Sequence, residues 1–304
     1  MHPPITIEAL RVLDAIERCG SFAAAASELH RVPSAISYTI QRLEEDLCVS
    51  LFDRSGHKAI LTPAGRYLLD QGRHLLDAAD QLAHTTRQVA QGWETRLKIA
   101  INTLLPIQCL FPAIQEFQAL GVPVEVQLIE EVFVGAWEAL MARRADLVVG
   151  ADPLTRPAGE FATHPLGEIT FVYAVAADHP LTRLPTPLND DHISAYPAVV
   201  AADSARRLPP GSAGIFARQQ TLTVTNIDQK IQAQVAGLGV GWLPEPRVRQ
   251  LLERGQLIAL KTESRRNPVS LHLARHTDAQ GKALDWFWER LSRPTAFHDW
   301  TTHG

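Results

Sequence analysis

The chain has 304 residues, 46% of them hydrophobic, and a formal net charge of −4. That length predicts two or three domains, and the acidic balance excludes a protein that coats nucleic acid nonspecifically. Cys19, Cys48 and Cys109 are scattered and form no C-x-x-C pair, which excludes a disulfide framework or zinc ribbon and reads as reduced cytosolic thiols.

The first twenty residues carry Glu8, Arg11, Asp14, Glu17 and Arg18, unlike a signal peptide. No apolar run reaches membrane-spanning length. The expectation is a cytoplasmic protein with no membrane contact. Three short helices then follow in succession. Thr6 can cap the first, with Leu10, Leu13 and Ile16 on its inner face and Gly20 ending it. Ser21 can cap the second, FAAAASEL, whose alanines permit close helix contact. Residues 30–33 turn the chain into the third, PSAISYTIQRLEEDL. Ile36, Ile40, Leu43 and Leu47 lie four, three and four apart, which places them on one face, towards a core. Ser34, Ser37, Tyr38 and Gln41 share another face, and all four can hydrogen-bond. LFDRSGHKAILT adds an apolar anchor, a Ser55-Gly56 turn and a β-prone AIL. The whole reads as a helix-turn-helix followed by a two-stranded wing.

Thr62 as N-cap and Pro63 at the first helical position open a fourth helix that meets no breaker until about Gln91. Leu68, Gly72, Leu75, Ala79, Leu82, Thr86 and Val89 recur along it every three or four residues. At 1.5 Å per residue it spans roughly 40 Å, too long to pack inside a small domain. Such a seam meets either a partner helix or the chain's own C-terminal domain, and self-pairing is the expectation.

From Arg96 the pattern alternates. LKIAIN, VEVQLI and DLVVGA read as strands, LFPAIQEFQAL and GAWEALMARR as helices, which predicts a parallel sheet. TFVYAVA, YPAVVA, LTVT, VGWL, LIAL and VSLHLA are further strands; IDQKIQAQVAG is a helix and ALDWFWERL an amphipathic closing helix. Two α/β lobes joined by crossing strands make a cleft suited to a small ligand.

These stretches carry a family resemblance. GSFAAAASELHRVPSAISYTIQRLEEDLCVSLFDRSGHKAILTPAG resembles the winged helix-turn-helix signature of LysR-type transcriptional regulators nearly position for position. ADLVVGA, DHPL and VAGLGVGWLPE resemble that family's effector-domain landmarks in the right order. RVPSAISYT, FDRSGHK and GAWE are similar to its YhaJ-type branch. The resemblance implies an α/β multidomain fold. Its parts are a winged helix-turn-helix over 1–65, a linker and dimerisation helix over 66–92, and a two-lobed α/β effector domain over 93–304, like type II periplasmic binding proteins. Lobe I takes about 96–168 and 272–300, lobe II about 169–271. The implied partners are double-stranded promoter DNA, often an interrupted dyad of the T-N11-A kind, and a small-molecule effector. A homodimer through the linker helix, a homotetramer through the effector domains and contact with RNA polymerase are also implied. No cofactor, metal or catalytic residue is implied.

Chemistry assigns the roles. Pro33, Ser34, Ala35, Ser37, Tyr38 and Gln41 are the positions expected at the DNA: Ser34, Ser37, Tyr38 and Gln41 can meet base edges or nearby phosphates, and Ala35 can contact a thymine methyl. Arg42, Arg54 and Lys58 are either phosphate or minor-groove contacts or ordinary solvated charges, and the family resemblance favours the contacts. The family commonly begins this helix with a Ser or Thr cap and later carries Arg where Tyr38 stands. Here Val32 lacks a side-chain acceptor, and Tyr38 removes a guanine-favouring donor fork. Residues 1–66 hold seven basic side chains against eight acidic ones, so binding depends on placed contacts. For the effector, the resemblance points to Asn102, Thr103 and Leu104 after the first strand, then Glu130, Glu131 and Val132, then Ala151. In lobe II it points to Val200, Ala202, Thr225 and Asn226. Thr103 and Thr225 offer hydroxyls beside helix amides, while Glu130 and Glu131 would repel a dicarboxylate. Phe133, Trp137 and Trp242 are either aromatic walls or plain core. The expected ligand is small, aromatic or hydroxylated, with at most one negative charge.

Two other classes compete. An enzyme would need a reactive constellation, and the chain has no G-x-S-x-G, P-loop or H-E-x-x-H. Gly237-Leu-Gly239-Val-Gly241 follows a helix and enters a strand, the reverse of the dinucleotide order, so it reads as a tight turn. His164, His179, His192, His272 and His276 show no metal-ligand spacing and read as surface or capping residues. A periplasmic solute-binding protein would share the α/β half but not residues 1–92. The reading helix generates a test. Tyr38→Ala is expected to change sequence preference, whereas Arg54→Ala weakens all sites alike. Equal losses for Tyr38→Ala on cognate and scrambled DNA, measured by fluorescence anisotropy, would reject its role in base readout.

Overall fold

The computed structural model describes residues 5–53, 59–209, 211 and 219–301, apart from the side chain of His84. The chain divides into two compact units, 1–91 and 92–304. The first unit starts with α1 (Ile7–Cys19), α2 (Phe22–Glu28) and α3 (Pro33–Leu47). The caps read from the sequence are in place. Thr6 Oγ1 accepts from Ala9 N–H at 3.1 Å, and Ser21 Oγ from Ala24 N–H at 3.2 Å. Gly20 ends α1 at φ 70°, a left-handed position that favours glycine. The inner faces of α1 and α3 close a core of Leu13, Ile16, Ile36, Ile40 and Leu43, with Ala25 and Ala26 letting α2 approach. The wing follows as β1 (Phe52–Asp53) antiparallel to β2 (Ile60–Leu61). Its expected Ser55-Gly56 turn lies outside the described residues. Glu44 Oε1 accepts from Leu51 N–H at 2.6 Å, fixing the wing to the end of α3.

α4 (Pro63–Ala90) is capped by Thr62, whose Oγ1 accepts from Gly65 N–H at 3.0 Å and donates to Ser50 O at 2.7 Å. Its first half belongs to the body of this unit. Leu69 is buried, and a Cβ at Gly72 would lie 2.7 Å from Leu10 Cδ2. Arg66 pairs with Glu17 at 2.6 Å and Arg73 with Asp14 at 2.8 Å. Gly72 therefore packs within its own chain and is not part of a self-pairing seam, which corrects the sequence expectation. Leu75, Leu82 and Val89, seven residues apart, remain 52%, 69% and 53% exposed. Gln91 is the C-cap, and Gly92 follows at φ 86°.

In the second unit come β3 (Arg96–Asn102), α5 (Phe111–Gln118), β4 (Glu125–Glu131), α6 (Gly135–Met141) and β5 (Leu147–Ala151), then β6 (Phe161–Ile169) and β7 (Phe171–Ala176). Next are α7 (Asp190–Ser194), β8 (Ala198–Ala201), β9 (Thr221–Val224), α8 (Ile227–Val235), β10 (Gly241–Pro244) and α9 (Glu245–Glu253). β11 (Leu257–Leu260), β12 (Val269–His276) and α10 (Lys282–Leu291) complete it. Lobe I is built on a five-stranded sheet ordered β4-β3-β5-β12-β6. Only β4, β3 and β5 run parallel; β12 is antiparallel to β5 and β6. Lobe II holds the antiparallel β10-β7-β11 and the parallel pair β8-β9. The parallel sheet expected of LKIAIN, VEVQLI and DLVVGA is present as β3, β4 and β5, and β6 and the returning β12 extend it with antiparallel pairing. Ile99, Ile101, Leu147 and Val149 bury one face of the lobe I sheet. Phe287 of α10 stacks on Phe117 of α5 at 4.9 Å. Glu94 caps α10 from outside, accepting from Ala283 and Leu284 N–H at 2.9 Å each. Among the described residues, no helix is long and apolar enough to cross a membrane.

Gly65 is the tightest joint of the first unit: a Cβ there would lie 2.2 Å from Leu51 O, a backbone atom that cannot turn aside. Gly65→Ala is expected to cost about 1–3 kcal/mol as an overpacking defect. A denaturant midpoint equal to wild type would show that the wing does not press on α4 as described.

Candidate functional site

The first candidate surface is the outer face of α3. Pro33, Ser34, Ser37, Tyr38, Gln41 and Arg42 are exposed and Ala35 is half-buried, while Ile36, Ile40 and Leu43 are buried beneath them. Tyr38 is 64% exposed, with its ring and hydroxyl both presented outward. Gln41 Nε2 donates to Glu45 Oε1 at 3.0 Å, a bond that would have to be exchanged for a base edge. Thr39 turns back onto Ala35 O at 2.9 Å. Val32 gives α3 no side-chain cap. Arg54 and Lys58 lie outside the described residues.

The second candidate is a cavity of about 150 Å³ between the lobes of the second unit. Leu104 and Phe133 line it from lobe I; Phe171, Val200, Ala202, Ile227 and Trp242 from lobe II. Two cations enter it. Lys230 of α8 is 5% exposed, and Arg266 holds its guanidinium 3.8 Å above the Phe171 ring. Asp203 also reaches the cavity, but its carboxylate is occupied by the lobe junction. It accepts from Val134 N–H at 3.2 Å, Gly135 N–H at 3.1 Å, Ala205 N–H at 2.8 Å and Gly211 N–H at 2.6 Å.

Of the eleven positions the resemblance suggested for a ligand, Leu104, Val200 and Ala202 line this cavity. The others serve the frame. Asn102 Oδ1 accepts from Leu104 N–H at 3.1 Å. Asn226 Oδ1 caps α8 by accepting from Gln229 N–H at 2.9 Å, and Thr225 Oγ1 donates to Gln229 Oε1 at 3.0 Å. Ala151 is fully buried, and Val132 nearly so. Glu131 is 3% exposed, accepts from Arg144 Nη1 at 2.5 Å and from Ser204 Oγ, and so turns away from the cavity. Glu130 is exposed and outside it. Repulsion of a dicarboxylate by Glu130 and Glu131 is thereby corrected: neither carboxylate lines the site. Thr103 is buried, its hydroxyl unpartnered among the described residues and its carbonyl accepting from Arg247 Nη1 at 2.5 Å. Trp137 is core, its indole N–H donating to Asp152 O at 2.8 Å. Lys230 and Arg266 were missed from sequence. Lys230 stands in IDQKIQAQV, where a lysine reads as the wet face of an amphipathic helix, and Arg266 stands in an irregular stretch. Gly237, Gly239 and Gly241 form the expected helix-to-strand turn, and a Cβ at Gly241 would lie 3.4 Å from Lys230 Nζ.

Both units have known counterparts. Residues 7–66 match the bacterial regulatory helix-turn-helix protein, lysR family, and residues 90–294 match the LysR substrate binding domain. This chain belongs to the LysR family. The probable HTH-type transcriptional regulator YhaJ of Escherichia coli K12 is 43% identical over 282 residues, 93% of this chain and 94% of YhaJ. The HTH-type transcriptional regulator PunR of the same strain is 33% identical over 93% of this chain and 91% of its own length. In fold, the chain is similar to a Corynebacterium glutamicum OxyR C206 mutant, with a TM-score of 0.60 at 20% identity, covering 98% of this chain and 94% of that one. The protein is thus a LysR-type DNA-binding transcriptional regulator, and its second unit is the effector-binding domain.

A LysR-type effector domain need not bury an unpaired lysine for stability. Burial, and secondarily the nearby Arg266, push Lys230 down from 10.5 to about 7. The sign follows from linkage: between about 7 and 10.5 the unfolded chain holds a proton that the folded chain has released, so stability rises with pH across that window. Below it, the folded state carries the full desolvation penalty. Lys230→Met is therefore expected to raise Tm at pH 6.5, with the gain shrinking by pH 9.5. A lower Tm at pH 6.5 would mean that the ammonium is paired and stabilising.

Proposed function

We propose that the protein is a cytoplasmic homodimeric or homotetrameric regulator that reads an interrupted dyad through α3 and responds to a ligand held between the lobes of its effector domain. The observation that carries this is the outer face of α3. It is an exposed hydrogen-bonding stripe of Ser34, Ser37, Tyr38 and Gln41 over a buried Ile36-Ile40-Leu43 stripe, presented after α2 as a recognition helix is. Ala35 supplies an apolar contact for a thymine methyl, Arg42, Arg54 and Lys58 hold phosphates, and Pro33 sets the start of the helix. The exposed Leu75, Leu82 and Val89 repeat every seven residues, the spacing of a helix that pairs with another. Two copies would set two α3 helices on successive major-groove faces. Ligand binding favours one arrangement over another, which is a population shift and requires differential affinity. The protein performs no reaction of its own in this scheme; RNA polymerase is the partner whose recruitment the arrangement changes.

Fluorescence anisotropy on the duplex upstream of its own gene, against a scrambled duplex over a salt series, tests the reading. Selective binding with a steep inverse salt dependence is expected. Leu82→Glu is expected to give monomers by light scattering and to lose at least about tenfold in affinity, because half the contacts go with the second copy. Equal weak binding to both duplexes, with or without candidate ligands, would overturn the DNA-reading assignment.

A further inference from the structure

Lys230 poses a problem that the frame of the effector domain does not solve. An ammonium placed where it is 5% exposed needs a hydrogen-bonded counter-charge to offset the water it has lost. Among the described residues none is in place. Asp203, the carboxylate that lines the same cavity, is held by four backbone amides, and Asp228, two residues before Lys230, is paired with Arg247. Arg266 brings a second cation to the same cavity and lies flat on Phe171. The ammonium also lies close to bare backbone: a Cβ at Gly241 would stand 3.1 Å from the Gln234 side-chain amide and 3.4 Å from Lys230 Nζ.

We propose that Lys230 and Arg266 together receive the carboxylate of a single-ring aromatic acid, whose ring lies against Phe171, Trp242 and Phe133. This rests on the reading of the cleft as the effector site. Three observations define the ligand. Charge comes first. With Lys230 protonated, two cations face one carboxylate, that of Asp203, so one negative charge completes the balance; a dianion overshoots it and a neutral molecule leaves the ammonium unpaired. Size is the second. A cavity of about 150 Å³ is the size known to hold one benzene ring. The third is wall chemistry. Aromatic side chains favour an aromatic guest by offset or edge contacts, and an arginine fork with a lysine point charge matches the two oxygens of a carboxylate. An inorganic anion would satisfy the cations but leave the aromatic walls without a partner.

Calorimetry on the full-length protein tests this with benzoate, its neutral isostere benzamide, the dianion phthalate, and inorganic phosphate. Benzoate, or its hydroxylated relative salicylate, is expected to bind at least about tenfold more tightly than benzamide or phthalate, the worth of one charge-assisted hydrogen bond. Lys230→Met, which folds with higher stability if the ammonium is unpaired, is expected to lose that preference. Arg266→Gln, checked for folding by circular dichroism, is expected to weaken benzoate and spare benzamide. Benzamide binding as well as benzoate, phosphate as the only ligand, or no binding by any of the acids would each overturn the proposal. The same titrations followed by DNA anisotropy separate it from the effector reading. Tight benzoate binding that depends on Lys230 but leaves DNA affinity and footprint unchanged would preserve the anion site and refute its role as the effector site.

Discussion

The effector domain depends on carboxylates from each lobe that collect backbone amides of the other. Asp203, at the end of the lobe II strand β8, accepts from Val134 and Gly135 at the start of the lobe I helix α6. In return, Glu138 of α6 accepts on one oxygen from Arg206, Arg207 and Leu208 N–H at 2.9, 2.7 and 3.0 Å. The amides of Leu208 and Arg207 hold that carboxyl below its usual range. Ser204 adds its hydroxyl between Glu131 and Val132. Charge-assisted bonds of this kind contribute roughly 1.5–3 kcal/mol each, and they are shielded here from bulk water. The two lobes are thus joined at a second place besides the crossing strands.

That junction explains why the cavity is small and why its charge is unbalanced. Among the described residues, the carboxylate that lines it, Asp203, is consumed in holding the lobes together, which leaves Lys230 and Arg266 facing a space lined by rings. The burial penalty carried by Lys230 is the usual sign of a residue retained for function at the expense of stability.

The parts of the fold set by local rules were legible. Thr6, Ser21 and Thr62 cap their helices as residues of their type do, and the four-three-four spacing of Ile36, Ile40, Leu43 and Leu47 gave the buried face of α3. Features set by distant neighbours were not. β6 carries His164, Pro165 and Gly167, which break the alternation of a strand; it is tolerated because it is an edge strand paired only with β12. Gly72 fits a dimer seam by period alone, and only the position of Leu10 shows which partner it meets. In the cleft, polar residues beside strand ends drew attention because they can bind. Asn102, Thr225 and Asn226 spend that capacity on turns and caps. The cations that do reach the cavity looked like ordinary surface charge, because the burial of Lys230 is decided by β10 and β8, distant in sequence.

The first turn of α3 has a consequence of its own. With Val32 in place of a hydroxyl or amide side chain, no side chain satisfies the amides at that end. Pro33 removes one of them, but the Ser34 N–H points out of the helix along its axis with no intrahelical carbonyl to meet. A missing cap costs a helix about 1 kcal/mol. A phosphate oxygen at that position would supply the bond and gain from the helix dipole. α3 is nonetheless helical from Pro33, with Ala35 N–H bonded to Val32 O at 3.0 Å, so its open amide end is held in shape ready for an acceptor.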